Sequence, residues 1–306
     1  MRKVLLINHP HVLCGVFQFQ HRIHTILEKS KSLEVSYRIV SNHEEYVKAF
    51  EEVKPDYILY NWHFDRLPFI KPIDIVSRPE TKHYFIFHDG SMIKVYDKYL
   101  VFGAMPPNTS VFQEGKAVLL PRPLYEYSGK YPNNSIPIIG SFGFAFNHKN
   151  FHEIAPFVGK YFKEAVVNLH FPNPYFGDTP VNKIQDIIDL CYRTNTNPNI
   201  KLNITTNFLD DNSLLEFLAG NDLNIFMYDK HLQNPGISSA TDYALSVKRP
   251  IAISDNMMFR HIASNGIMVT KTPLNKILEN GTKPLEKFYE SWSTENFILE
   301  MEKVFV

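Results

Sequence analysis

Cysteine is almost absent. Two residues, Cys14 and Cys191, stand in a chain of 306. They lie far apart and form no C-x-x-C pair, which argues against a disulfide framework and a structural zinc site. They read as two buried thiols of a reducing compartment. An excess of charge of one sign is missing too: Lys and Arg number 32, as do Asp and Glu. No Lys/Arg block breaks that balance, so no nucleic-acid partner is expected. No apolar run approaches the ~20 residues of a membrane span. The opening "MRKVLLINHPHV" is basic and then apolar, but its apolar part is short for a secretory signal and no small-residue cleavage site follows. A cytoplasmic protein without a membrane span is expected.

Several chemical signatures are absent as well. There is no G-x-G-x-x-G, which disfavours a dinucleotide-binding domain, and no G-x-x-x-x-G-K-[ST], which disfavours a P-loop kinase. HExxH, GxSxG, an EF-hand loop and clustered Cys/His ligands are also missing. What is present is a globular composition, 44% hydrophobic and 21% charged. The length fits two domains of about 150 residues each.

The first strand is the unbroken apolar run "VLLI", Val4 to Ile7, as expected in a parallel sheet covered on both faces. A loop "NHPHVLCG" leads to a helix with Phe19, Ile23, Ile26 and Leu27 on one face. "VSYRIV" (strand), "HEEYVKAFEEV" (helix), "PDYILYN" and "KHYFIFHD" (strands) follow, and "KAVLLPRPLYEY" closes the half. The polar segment "SGKYPNNSIP", Ser128 to Pro137, is the expected linker. A second series then alternates strands "IPIIGSFGF", "VVNLHF", "IKLNITTNF", "LNIFMYD", "IAIS" and "GIMVT" with helices that include "NFHEIAPFVGKYFKEA". The tail is helical. Alternation of this kind predicts an α/β chain of two doubly wound, Rossmann-like domains facing across a cleft. The expected boundaries are 1–130 for a first domain, 131–285 for a second and 286–306 for helices that pack back on the first.

In open α/β sheets ligands sit beyond the carboxyl ends of strands, so the loops after strands hold the candidates. After "LNIFMYD" comes "NPGISSATDYALSVKRPIAISD". Gly236 lets the backbone approach a ligand. Ser238 and Ser239 bring hydroxyls, and the helix start favours an anion. Ser239 with Asp242 three residues on also reads as a plain capping box. After the strand of "IPIIGSFGF" come Gly140, Gly143 and then Lys149, a cation suited to phosphate or else a solvated helix-entry lysine. His148 is a lesser alternative. His88 and Asp89 follow "YFIF" at a strand end, where an imidazole can hydrogen-bond a hydroxyl or carry a proton. Gly15 lies in the first strand-to-helix loop. Trp62, in "NWHFD", suits a sugar face or the core. His170 and Phe208 follow strands that would border a nucleobase.

The succession of strand, Pro/Gly loop, Gly-x-Ser-Ser helix start, Ala-Leu turn, "KRP" and strand resembles the donor segment of GT-B glycosyltransferases. The likeness is to the large retaining group related to sucrose synthase and to bacterial mannosyl- and glucosyltransferases. That group reads roughly E-G-F-G-L-x-x-x-E-A-M-A-x-G-x-P-V-V. Counted back from Pro250, Ala244-Leu245 falls on A-M, Gly236 on the first Gly and Ser238 on the second. Pro235 and Tyr243 stand where the group carries its two glutamates, and Asp242 is one position off. "IPIIGSFGFAFNHKNFHEIAPFV" resembles the same group's Gly-rich turn and phosphate-binding Lys, with Lys149 matching the cation and no arginine in the usual partner place.

The resemblance implies a nucleotide-diphosphate sugar as donor and a glycan or small molecule as acceptor. It implies Lys149, Ser238, Ser239, Gly140, Gly143, Gly236, Asp242, Asp229 and Phe208 on the donor side. His88 and Asp89 fall at the reacting sugar, with Gly15 on the acceptor and phosphate loop. No D-x-D pair is present to hold a metal on a sugar diphosphate, as the other main glycosyltransferase fold does; Asp210-Asp211 reads as a helix start. Metal-independent transfer with no cofactor is therefore expected, and the resemblance implies retention. The alternatives are a GT-B UDP-sugar 2-epimerase and a catalytically silent relative that binds a nucleotide or glycan.

Overall fold

The structure is a computed structural model that describes residues 1–88, 95–106, 116–172, 182–232 and 234–306. The chain divides into two compact units. Unit 1 comprises Met1–Pro123, Pro235–Ile237 and Glu290–Val306, and unit 2 comprises Leu124–Asn234 and Ser238–Tyr289.

Unit 1 is built on a six-stranded, all-parallel sheet. Its strands are β1 (Arg2–Asn8), β2 (Leu33–Ile39), β3 (Tyr57–Tyr60), β4 (Lys82–Ile86), β5 (Lys98–Phe102) and β6 (Ala117–Leu120), in the order β2-β1-β3-β4-β5-β6. Helices α1 (Gly15–Leu27), α2 (His43–Val53) and α3 (Pro72–Val76) intervene. Successive side chains of a strand point to opposite faces. Val4 and Leu6 of β1 therefore join Leu59, Ile86, Leu100 and helix α1 on one face. Leu5 and Ile7 join Ile58, Phe85, Val101 and helix α2 on the other. Both faces are dry, which is why "VLLI" carries no alternation.

Unit 2 has a five-stranded parallel sheet of order β11-β10-β7-β8-β9, with β7 (Ile138–Phe142), β8 (Ala165–His170), β9 (Ile200–Thr205), β10 (Leu223–Phe226) and β11 (Ile251–Ile253). Its helices are α4 (Phe151–Val158), α5 (Asn182–Thr194), α6 (Asp211–Ala219), α7 (Ala240–Ser246) and α8 (Leu274–Asn280), and α9 (Glu286–Ser291) leads to α10 (Thr294–Val304). Phe297, Met301, Val304 and Phe305 of the tail are buried in the unit 1 core that contains α1. The segment after Pro123 is tied to unit 2. Tyr125 N–H donates to Ser246 Oγ at 2.8 Å, and Arg249 Nη2 donates to the Pro132 carbonyl at 3.0 Å.

The structure corrects three readings of the elements. Lys98–Phe102 is a sixth strand, seated between β4 and β6, that the sequence reading passed over because its apolar run behind Asp97-Lys98 is short. "GIMVT" makes only a single bridge, Ile253 to Met268, before Lys271 and Thr272 turn back onto the Met268 carbonyl. The helix read through to Ala165 stops at Val158, where Gly159 caps it. Among the described residues no helix is long and apolar enough to cross a membrane.

Each sheet has one place where the strand order reverses. In unit 1 it lies between β1 and β3, and in unit 2 between β7 and β10. The loops beyond the carboxyl ends of these strands diverge there, leaving a crevice in which α/β proteins bind ligands.

Candidate functional site

At the unit 2 reversal the loop after β7 carries Gly143 and Lys149. Gly143 has φ of +144°, a region closed to most side chains. A Cβ there would lie 2.2 Å from Lys149 Nζ, so the lysine runs through the space this glycine leaves. Lys149 is 9% exposed, and its ammonium stands 5.3 Å from the centre of the Tyr228 ring. Among the described residues no carboxylate pairs with it. Tyr228, just past β10, shares a 2.9 Å hydrogen bond between its hydroxyl and that of Ser238. Gly143, Lys149 and Ser238 are thereby brought together, and Tyr228, which the sequence reading missed, is what joins them.

His148 is half-buried beside this lysine, and burial, aided by the Lys149 charge and opposed by Asp229, pushes its pKa down to about 4. The ring is neutral at pH 7 and adds no second cation. Asp229 braces the loop: its N–H donates to the His148 carbonyl at 2.7 Å, and its Oδ1 accepts from the His231 N–H at 2.9 Å.

The serines are not bare. Ser238 is 5% exposed, its N–H donates to the Met258 carbonyl, and its own carbonyl accepts from Thr241 Oγ1 at 2.8 Å. Ser239 occupies the cap position of α7 in a helical conformation, and its side chain makes no capping bond, so the capping box is not formed. Asp242 is fully buried and its carbonyl accepts from Ser246 Oγ at 2.7 Å. Gly236 is buried and groups with unit 1 rather than with the serines two residues on.

Gly140 is not part of the turn. It lies within β7, and the space of its missing Cβ is filled by Asn221, whose Nδ2 would be 1.8 Å away. Asn203, Asn168, Asn221 and Asn224 are hydrogen-bonded in series, with separations of 3.0, 3.1 and 2.9 Å, so packing explains this glycine. Toward β9, His170 is buried, with Nδ1 2.8 Å from Thr205 Oγ1, and burial lowers its pKa to about 4. Phe208 is 47% exposed. Tyr243, at the position of a missing glutamate, donates to Asp211 Oδ1 at 2.8 Å, and Tyr125 donates to the other oxygen of that carboxylate.

At the unit 1 reversal the strand ends hold a buried amide network. Asn61 Nδ2 donates to Asn8 Oδ1 at 2.6 Å and to the Val16 carbonyl at 2.7 Å. Asn8 Nδ2 donates to the Phe17 carbonyl and to Tyr37 Oη. The amide of Asn61 is thus oriented, and its Oδ1 is the acceptor facing His88 Nε2 at 2.7 Å. His88 therefore carries its proton on Nε2 when neutral, and Nδ1 holds the lone pair. Its ring also meets Phe19 edge-on at 5.9 Å. Asn8 and Asn61 were not singled out from the sequence. Their signal is shared: each is an amide that ends an apolar strand, in "VLLIN" and "YILYN".

Asp89 lies outside the described residues. Gly15 opens α1 without a positive φ, and nothing comes within 4 Å of its missing Cβ, so that backbone faces open space. Trp62 is partly buried against the unit 1 core.

No protein family model and no curated protein matches this sequence. Solved structures do match. HepE of Anabaena, in complex with UDP and glucose, superposes with a TM-score of 0.68 over 99% of both chains at 10% identity. The apo form of the lipopolysaccharide outer core galactosyltransferase WaaB superposes with a TM-score of 0.61 over 99% of this chain and 100% of that one, at 11% identity. The N-terminal domain of Candida albicans trehalose-6-phosphate phosphatase does so at 0.67, over 100% and 96%, at 11% identity. The chain has the GT-B fold, two Rossmann-like α/β units. A fold of this kind hosts more than one chemistry, so the function rests on the site.

Proposed function

We propose that this chain is a glycosyltransferase that moves a sugar from a nucleoside-diphosphate sugar to a hydroxyl of a glycan or small-molecule acceptor, without a metal ion or cofactor and with retention. The observation that carries this reading is Lys149: a largely buried ammonium at the reversal point of the second sheet, threaded past a positive-φ glycine and unmatched by a carboxylate of the described residues. A buried cation calls for an anion. A diphosphate at that strand edge supplies one, and HepE, the similar structure described above, holds UDP.

In this reading Lys149 neutralises the charge that grows on the departing nucleotide, the task a divalent ion performs elsewhere. Ser238 and Ser239 add hydrogen bonds to the phosphates, and Gly143 keeps the approach open. Asp229 braces the loop behind Lys149. Asp242, whose N–H donates to the Ser239 carbonyl, ties the serines to α7, Gly236 lets the loop pass close to the donor, and Phe208 with His170 borders the base. His88, held by Asn61, stands at a hydroxyl of the reacting sugar or of the acceptor, with Asp89 beside it in sequence. Gly15 leaves room at the start of α1.

Pro235 and Tyr243 in place of carboxylates favour one second reading, a relative that binds the donor without turning it over. Incubation with UDP-, GDP-, ADP- and CMP-sugars in the presence of EDTA separates the cases. Transfer, or slow release of nucleotide from one donor, is the expected result. Saturable binding without release identifies the silent binder, and interconversion of the sugar identifies an epimerase. Absence of binding to every donor sinks the proposal.

A further inference from the structure

Beyond His88, a second histidine stands at the reversal point of unit 1. His9 directly follows β1 and is fully buried. Its Nδ1 accepts the N–H of His11 at 3.2 Å, which places the proton of the neutral ring on Nε2. That Nε2–H is buried and has no hydrogen-bond partner among the described residues. The ring stays neutral, since burial, helped by His11, Arg66, His88 and His63, pushes its pKa down to about 3. It is therefore a fixed donor, not a titrating base.

A buried donor left unpaired costs about 1–3 kcal/mol. Buried polar atoms are nearly always satisfied, so an exception calls for a cause. The neighbouring strand end repeats the pattern: Trp62 Nε1–H, just past β3, is likewise buried and unpartnered. β1 and β3 are paired, Ile7 against Tyr60, and Asn61 N–H donates to the Ile7 carbonyl, so His9 and Trp62 follow adjacent strand ends. The Asn8 and Asn61 network that fixes His88 also fixes His9, whose N–H donates to Asn8 Oδ1 at 2.9 Å. Two adjacent strand ends thus each carry a buried donor without a partner, and one of them, His9, is fixed by the amide network.

We propose that His9 is a substrate-binding residue whose Nε2–H donates to a hexose hydroxyl bound beyond the carboxyl ends of β1 and β3. This rests on the glycosyltransferase reading and deepens it by adding a fixed donor beside His88. Because Nε2 is buried, access of a sugar to it requires the surrounding side chains, among them the His11 ring 5.5 Å from His9, to yield.

Two substitutions separate binding from folding. His9→Asn retains an oxygen near the position of Nδ1, so the turn to His11 survives while the Nε2 donor is lost. His9→Gln retains a donor near the position of Nε2 and gives up the turn. His9→Asn is expected to raise KM for the sugar-bearing substrate about tenfold, one hydrogen bond's worth, with Tm nearly unchanged. His9→Gln is expected to keep KM within a few fold and to lower Tm. Should both variants lose only Tm and keep wild-type KM, His9 is structural and the proposal is overturned.

A second measurement needs no turnover. In the wild-type chain labelled with 15N-histidine, the His9 Nε2 resonance is followed during titration with D-glucose, D-galactose, UDP-glucose and inorganic phosphate. A saturable shift with a hexose or with UDP-glucose supports the proposal, even if no donor is ever turned over. A shift with phosphate alone overturns the hexose assignment. No shift with any probe means that an internal water satisfies the donor, and the proposal falls while the glycosyltransferase reading stands on its own test.

Discussion

Lys149 and Gly143 are one device. The lysine side chain occupies the space that the glycine side chain would fill, at a backbone angle few other residues adopt. A charge-assisted hydrogen bond to phosphate contributes about 1.5–3 kcal/mol, or roughly ten- to a hundredfold in affinity. Lys149→Ala is expected to weaken UDP binding by that factor in calorimetry and to leave uridine binding unchanged. Equal losses for the two ligands would remove Lys149 from the phosphate site. Gly143→Ala is expected to approach the same loss, because the added methyl displaces the ammonium, and a full-affinity Gly143→Ala variant would contradict the geometry. The lysine was legible in the sequence as a cation shortly after a Gly-rich strand end. Tyr228 was not, because a tyrosine that follows an apolar strand looks the same whether it pairs with a serine or with nothing. Gly140 was legible as a glycine but not as one shaped by Asn221, a partner more than eighty positions away.

At the scale of elements, α10 shows how a terminal helix completes a sheet. Phe297, Met301, Val304 and Phe305 are 0–4% exposed in the core of unit 1, whereas Leu299 on the same helix is 49% exposed. Replacing a buried phenylalanine with alanine costs about 3–5 kcal/mol. A surface substitution stays within about 0.5 kcal/mol. Phe297→Ala is therefore expected to lower the urea midpoint markedly, and Leu299→Ala to leave it nearly in place. Similar midpoints for the two variants would show that α10 is not part of the cooperative fold. The tail reads from its sequence as helices that pack back on the first domain, but the particular residues they meet there do not. An amphipathic stripe states that a face is buried without stating against what. The missed strand Lys98–Phe102 has the same origin, since so short a run carries little local signal until β4 and β6 are placed on either side.

Across the whole molecule, histidines that desolvation keeps neutral set an acid response, His9, His148 and His170 most strongly. Burial is the leading cause for each, and it holds His9 to about 3 and His148 and His170 to about 4, against an ordinary value of 6.5. A depressed folded-state pKa means that the unfolded chain binds more protons between the two values, so stability falls as pH falls through that window. Stability is expected to be full above about pH 6.5, to decline toward about pH 4, and to flatten with respect to these groups near pH 3. Urea midpoints measured between pH 7 and 4 check this, and a flat profile would refute the burial of these rings. His170→Asn, which keeps an oxygen near the position of Nδ1, should make the decline shallower.

Local order was written in the chain: unbroken apolar runs demand parallel strands covered on both faces, and their alternation with helices demands two doubly wound units. Those follow from nearest-neighbour chemistry and from the burial each element requires. Which glycine makes room for a lysine, which serine already has a partner, and which histidine keeps an unmatched proton were decided only by tertiary structure. Each depends on side chains from different loops and strands meeting at a strand end, and no local pattern encodes such a meeting.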